Sequence, residues 1–201
     1  EEISSWREIL ARNIALRNPA LSQRELNFSI QMIIDRIIFL RICEDRGIEN
    51  YGRLQEIQKY KDIYKELTKL FQQADDRYNS GLFHFRREKD NTEAPDDLTL
   101  NLIIDDKTIK EILKNLYYPE SPYEFSVLPA EILGQIYEQF LGKIIAVSPG
   151  RRVSVEEKPE VKKAGGVYYT PTYIVNYIVK ETVGKFLEGK TPKQAEKITI
   201  L

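Results

Sequence analysis

The chain has 201 residues, enough for one sizeable domain, or for one domain and part of a second, with a real hydrophobic core. Hydrophobic residues make up 42% and charged residues 30%, as in ordinary soluble proteins, and no apolar run approaches the roughly 20 residues that span a bilayer. The 30 basic and 31 acidic residues nearly cancel, so any contact with nucleic acid has to be local. The lone Cys43 and the lack of a signal-peptide pattern predict a cytoplasmic protein without an internal disulfide or a membrane role.

Two helices are predicted in the first 47 residues. The first runs from about Ser4 to Arg17 and ends at Asn18-Pro19. The second begins with Ser22-Gln23-Arg24-Glu25, a capping box in which the serine and the glutamate bind each other's backbone amides. Apolar residues then recur at helical spacing up to Gly47, which predicts a long and heavily buried helix.

Shorter elements are predicted in the middle of the chain. Apolar spacing favours a third helix over Tyr60 to Ala74 and a fourth over Lys107 to Tyr117. Leu98 to Ile104 is typical of a brief extended segment. A further helix is predicted to start near Pro129 and to run to about Ile145, because proline is tolerated in the first turn. These elements predict a mainly α fold built on a helical bundle.

The composition changes after Ser148. Pro149-Gly150 indicates a turn, Val153-Ser154-Val155 alternates like a strand, and Lys158 to Lys163 is a charged stretch. The expected organisation is therefore a helical support or connector domain at 1–148, a linker with a possible short hairpin at 149–164, and a second domain that begins at 165–201.

The second domain is predicted to begin with a helix and a strand. Apolar spacing indicates an amphipathic helix over Thr172 to Leu187, and Ile198 to Leu201 is typical of a strand. A strand with nothing after it leads us to expect that the chain is a piece of a longer protein.

The segment Gly165 to Pro171 is the strongest candidate for chemistry. It combines two glycines, two tyrosines, a threonine and a proline directly before a helix. Thr170 is predicted at the helix cap and Pro171 at the first helical position, where free backbone amides favour a carboxylate or a phosphate. The alternative is an ordinary capped helix start whose aromatic side chains pack inward.

Three stretches together resemble the adenine-specific DNA methyltransferases of type IIG restriction-modification enzymes. They are Phe39 to Gly47, Leu128 to Gly142, and Gly165 to Pro171 with the helix that follows it. They occur in the order that the family shows, and the resemblance covers nearly the whole chain.

The resemblance implies that the last stretch helps to hold S-adenosylmethionine, and that Thr170 contacts the methionine carboxylate of this cofactor. It implies that the final strand is the first strand of a truncated Rossmann-like α/β domain. The implied cofactor-binding residues are Val167, Tyr168, Tyr169, Thr170 and Pro171.

The family's Gly-rich cofactor turn and its Asn-Pro-Pro-aromatic segment, which grips a flipped adenine, do not occur in these 201 residues. We therefore expect no catalytic residue in the chain, and we expect the fragment alone to be inactive. In the parent protein the resemblance implies double-stranded DNA as the partner, and Mg²⁺ only if a nuclease domain lies outside this chain. The DNA target and the oligomeric state stay open.

Four basic residues near the domain boundary are candidates for contact with DNA phosphates. They are Arg151, Arg152, Lys162 and Lys163. A solvated linker is an equal alternative for them. The acidic-x-Lys pattern of Glu156-Glu157-Lys158 has the residue types of a nuclease site, but a chance match in a linker-like stretch is the favoured interpretation.

Two other polar features are interpreted as structural. Glu44-Asp45-Arg46, with Arg36 and Arg41 before it, is more typical of an ion-paired helix end than of a functional cluster. His84 has no second His or Cys at ligand spacing, so a packing role is favoured over a metal site. No metal site is predicted elsewhere in the sequence.

Two alternatives to a combined enzyme remain open from the sequence. A stand-alone modification methyltransferase without a nuclease would carry the same segments. A non-enzymatic helical scaffold or DNA-binding adaptor would use the tyrosines for structure alone. Binding of S-adenosylmethionine by the full-length protein separates the scaffold from both enzymes.

Overall fold

The computed structural model describes residues 2–78, 81–87, 94–121, 125, 127, 142–148, 152–158, 161 and 170–198. Within these ranges the chain is mainly helical, with one two-stranded antiparallel sheet, which confirms the predicted mainly α class.

The two N-terminal helices follow the prediction closely. Helix α1 spans Glu2–Arg17 and α2 spans Gln23–Asp45. Ser22 caps α2, because its hydroxyl accepts a hydrogen bond from the Glu25 amide at 3.2 Å and the Glu25 carboxylate accepts one from the Ser22 amide at 2.8 Å. The capping box is therefore confirmed.

The core lies between α1, α2 and the helices that follow. One face of α2 supplies Ile30, Ile33, Ile34 and Ile37, all almost fully buried. Burial of such side chains contributes about 1.5–3 kcal/mol each, which makes α2 the centre of the domain.

The middle of the chain forms four short or medium helices and a 3-10 turn. Helix α3 spans Arg53–Glu56, the 3-10 turn spans Ile57–Lys59, α4 spans Ile63–Tyr78, α5 spans Asp97–Leu100 and α6 spans Asp106–Lys114. The α4 and α6 predictions are confirmed within a few residues. Aromatic and aliphatic side chains from this region, including Phe71 and Phe83, join the same core.

The predicted extended segment at Leu98 to Ile104 is wrong in its first half, which is α5. Asp96 explains the helix, because its carboxylate accepts a hydrogen bond from the Thr99 amide at 3.0 Å and so caps the first turn. The four-residue apolar pattern does not by itself distinguish a strand from one helical turn.

A β-hairpin follows the part of the chain that includes 128–141, which lies outside the described residues. Strand β1 spans Lys143–Val147 and β2 spans Val153–Glu157, and Ile145 pairs with Val155 in an antiparallel register. The strand at Val153-Ser154-Val155 is confirmed. The predicted helix end at about Ile145 is wrong, because this stretch finds its hydrogen bonds in β2.

Residues 170–198 are mainly helical, and none of them is buried. Helix α7 spans Thr172–Val179, a π-helical turn spans Lys180–Gly184, α8 spans Lys185–Leu187 and α9 spans Pro192–Ala195. The predicted helix over Thr172 to Leu187 is therefore confirmed in extent. Most of the predicted final strand, residues 199–201, lies outside the described residues. No helix in the described part is long and apolar enough to cross a membrane.

Candidate cofactor segment and DNA-contact residues

The start of α7 is the described part of the predicted cofactor segment. The Pro171 carbonyl accepts hydrogen bonds from the amides of Ile174 at 2.9 Å and Val175 at 3.2 Å. Pro171 has φ −57° and ψ 141°, so it is the residue just before the helix, and Thr172 is the first helical residue.

The predicted positions of Thr170 and Pro171 are thus wrong by one residue. Pro171 takes the cap position, where it makes no side-chain capping bond, and Thr170 lies one residue further out. The reason is the extended ψ of Pro171, which keeps this residue outside the helix. Both residues are exposed. Val167, Tyr168 and Tyr169 lie outside the described residues.

Arg152 is the described member of the predicted DNA-contacting group. It is exposed, and its carbonyl accepts a hydrogen bond from the Ser148 amide at 3.0 Å, next to the turn of the hairpin. In the described ranges Arg152 takes part in no ion pair within 4.0 Å. Arg151, Lys162 and Lys163 lie outside the described residues.

The hairpin that carries Arg152 is fixed to α1 and α2. The side chain of Asn27 makes the two hydrogen bonds that a neighbouring strand would make to Ile145. Its nitrogen donates to the Ile145 carbonyl at 2.9 Å, and its oxygen accepts from the Ile145 backbone amide at 2.8 Å. Arg7 donates to the Lys143 carbonyl at 3.2 Å. Ile145 is fully buried, so the middle of β1 is part of the same core as the helices.

Arg36 is the first of two buried arginines on α2. Its Nη2 atom lies 2.8 Å from Oδ2 of Asp96, and Nη1 and Nε donate to the Thr99 hydroxyl at 2.7 Å and the Leu82 carbonyl at 2.8 Å. The guanidinium also lies 4.5 Å from the ring centre of Phe85. Burial lowers the pKa of Arg36, and the Asp96 carboxylate opposes that shift. The site joins α2 to α5 and the 82–85 segment.

Arg41 is the second buried arginine. Its guanidinium lies 4.3 Å from the ring centre of Tyr117, its Nε atom donates to the Leu116 carbonyl at 3.0 Å, and Nη1 donates to Asp45. The other Asp45 oxygen accepts a hydrogen bond from the Phe125 amide at 2.9 Å. The end of α2 therefore holds the chain that follows α6.

Glu44 completes this buried cluster. Its carboxylate accepts hydrogen bonds from the amides of Gly52 at 3.0 Å and Leu54 at 2.9 Å, and from the Tyr117 hydroxyl at 2.5 Å. Burial, followed by the Glu44 carboxylate, raises the pKa of the Tyr117 hydroxyl, so this group stays a proton donor. The interpretation of this helix end as ion-paired is confirmed for Glu44 and Asp45, which both pair with Arg41, whereas Arg36 pairs with Asp96 instead.

No group of His, Cys, Asp and Glu side chains in the described ranges is arranged to hold a metal ion. His84 is buried at the edge of the core, as the packing interpretation predicted. No local pattern predicts the hydrogen bonds of Asn27 to Ile145 or the pairing of Arg36 with Asp96, because the partners lie far apart in the chain.

Comparison with known proteins gives one informative match. The chain is 36% identical over 191 residues, 95% of its length, to the Type II restriction enzyme and methyltransferase RM.Eco57I of Escherichia coli. The matched residues make up 18% of that protein, so the chain spans less than one fifth of its relative. No protein-family model and no solved structure matches. The match confirms the resemblance predicted from the sequence and fits a fragment of a type IIG enzyme.

Proposed function

We propose that the chain is the part of a combined restriction enzyme and methyltransferase in which a helical connector leads into the methyltransferase domain. The observation that carries the proposal is 36% identity over 95% of the chain to a protein with both activities in its name. The parent protein then acts on double-stranded DNA. Its methyl transfer is proposed to go from S-adenosylmethionine to adenine, as the resemblance implies.

In this proposal residues 1–148 support the catalytic domain. The buried arginines favour that role, because Arg36 and Arg41 each fasten several separate segments to α2. A domain tied together in this way keeps its shape when neighbouring domains move. Strand β1 of the hairpin, held by Asn27 at Ile145, belongs to the same support.

The cofactor site is proposed at Val167, Tyr168, Tyr169, Thr170 and Pro171, in front of α7. Two observations on the described residues support it. Thr170 is exposed, and it lies one residue before the cap of a helix, whose first backbone amides favour negative groups. With Pro171 at the cap position, Thr170 lies outside the helix cap.

Contact with DNA is proposed for Arg151, Arg152, Lys162 and Lys163. The exposed Arg152 at the end of a fixed hairpin supports this role, because a basic residue on a rigid element can meet a phosphate with little loss of conformational freedom. Such contacts would position the DNA without reading its sequence.

Titration of S-adenosylmethionine into the full-length protein tests the cofactor site. We expect Thr170→Ala to weaken binding by about 10-fold, equivalent to one lost hydrogen bond to a charged group. Thr182→Ala is the matched control, since the Thr182 hydroxyl donates to the Ile178 carbonyl of α7 at 2.6 Å. Equal affinity for the wild type and Thr170→Ala would remove Thr170 from the site. A wild-type protein that binds no cofactor would favour the scaffold.

A further inference from the structure

Arg24 is an exposed arginine in the first turn of α2. Within the part of the chain that the structure describes, its guanidinium makes no ion pair within 4.0 Å. The neighbouring Glu25 carboxylate instead accepts hydrogen bonds from the Ser22 amide at 2.8 Å and the Ser22 hydroxyl at 2.7 Å. The positive charge of Arg24 is therefore not matched by a carboxylate in these ranges.

The position of Arg24 does not favour the helix that carries it. The backbone amides at the start of a helix carry a partial positive charge, and a basic side chain in the first turn is repelled by that charge. Ser22 and Glu25, in contrast, are residues that stabilise a helix start. An anionic partner outside the domain accounts better for Arg24 than the stability of α2 does.

Two contacts show in which direction the hairpin runs over the first two helices. Helices α1 and α2 pack together and are joined by the short segment 18–22, so they run in opposite directions. Arg7, which donates to the Lys143 carbonyl, lies about 15 Å along α1 from this connection. Asn27, which is bonded to Ile145, lies only about 6 Å along α2 from it. Strand β1 therefore runs towards the connection, and the hairpin turn lies near the start of α2.

Arg24 lies on the side of α2 that faces this turn. Residues three apart are neighbours on a helix surface, so Arg24 lies beside Asn27 and closer to the connection. The Ser148 amide donates to the Arg152 carbonyl, which places Arg152 level with Ser148, about 10 Å past Ile145 in the same direction. Both arginines are exposed. Two cations on neighbouring elements thus lie at the same end of the helical domain.

We propose that Arg24 is a further DNA contact, which binds a backbone phosphate of the duplex that Arg152 also contacts. The inference rests on the proposed function, since it requires the parent protein to bind double-stranded DNA. Phosphates of one strand follow each other at about 3.4 Å along the duplex axis, so a duplex that crosses this end offers phosphates to both arginines. The planar guanidinium donates two parallel hydrogen bonds to phosphate oxygens, and the start of α2 favours the same negative charge.

The salt dependence of DNA binding tests this contact. The probe is a fluorescent double-stranded DNA of arbitrary sequence, titrated with the full-length protein at several salt concentrations. Each phosphate contact contributes about 0.9 to the slope of log K against log salt concentration. Arg24→Gln should therefore reduce the magnitude of this slope by about 0.9, and Arg24→Gln combined with Arg152→Gln should reduce it by about 1.8.

Arg46→Gln is the matched control, because Arg46 is exposed at the C-cap of the same helix, about 33 Å from Arg24. It should leave the slope unchanged, as should Arg24→Lys, which keeps the positive charge. Equal slopes for the wild type and Arg24→Gln would overturn the inference. So would equal losses from Arg24→Gln and Arg46→Gln, or from Arg24→Gln and Arg24→Lys. A wild-type protein that binds no DNA would overturn the proposed function itself, and this inference with it.

Discussion

The helical domain and the C-terminal segment differ in which side chains they bury. In α2 even the guanidinium groups of Arg36 and Arg41 are buried, because each finds carboxylates, carbonyls and aromatic rings to contact. In α7, whose sequence is more apolar, the side chains of Val175, Ile178 and Val179 are exposed. The difference teaches that an apolar pattern predicts a helix but not its burial, which depends on the partner surfaces within reach.

The largest expected effect comes from breaking the Arg36 site. We expect Arg36→Met to lower the free energy of unfolding of the 201-residue chain by about 3–5 kcal/mol, because the buried Asp96 carboxylate loses its cation. Urea denaturation measures this change. Arg86→Met is the matched control, since its partner Asp76 is exposed and such pairs contribute about 0–1 kcal/mol.

A double variant shows whether the buried charge is the cause. Arg36→Met combined with Asp96→Asn should be less destabilised than Arg36→Met alone, because no uncompensated carboxylate remains. A double variant as unstable as the sum of the two single variants would instead attribute the loss to packing against Phe85.

The contrast between local and distant partners also explains what the sequence could predict. The start of α2 was predictable because Ser22 and Glu25, which cap it, lie within four residues. The pairing of Arg36 with Asp96 was not, since the two residues are brought together only by the tertiary fold. Phe39 to Gly47 was recognised by family resemblance, whereas its physical role appears only when Glu44 meets Gly52, Leu54 and Tyr117.

The errors in the predicted elements have the same origin. Lys143 to Val147 fits a helix or a strand by composition, and its pairing with β2, across a turn, decides for the strand. At Pro171 a single backbone angle moves the helix start by one residue, which periodicity cannot resolve. The cofactor segment could be located from the sequence, but the roles of its residues stay predictions.

Asn27 tests whether the hairpin belongs to the rigid domain. Asn27→Ala removes both partners of the buried Ile145 backbone, and we expect a loss of about 1–3 kcal/mol in the free energy of unfolding. Asn176→Ala, on the exposed α7, should change it by less than about 0.5 kcal/mol. If both variants unfolded at the same urea concentration as the wild type, the hairpin would not contribute to the core.

Acid titration tests a weaker link between α1 and the start of α6. Hydrogen bonds from Arg17 and Asn13 hold the pKa of Asp105 below its ordinary value. The contribution is present above the unfolded pKa of about 3.9 and is lost as the pH falls through the lower folded pKa. Asp105→Asn should therefore flatten the acid limb of the stability profile slightly. Asp97→Asn is the control, and an identical acid limb in wild type and Asp105→Asn would contradict the prediction.

The smallest change in the free energy of unfolding is expected at α7, where even an unchanged value is informative. In the 201-residue chain Ile178→Ala should change the free energy of unfolding by less than about 0.5 kcal/mol, because the side chain is already half exposed. Ile34→Ala, which empties a fully buried site on α2, should cost about 2–5 kcal/mol. Equal losses would mean that α7 is part of the same core as α2. An unchanged free energy of unfolding for Ile178→Ala in the short chain, together with a clear loss in the full-length protein, would show that this side chain packs on residues outside these 201.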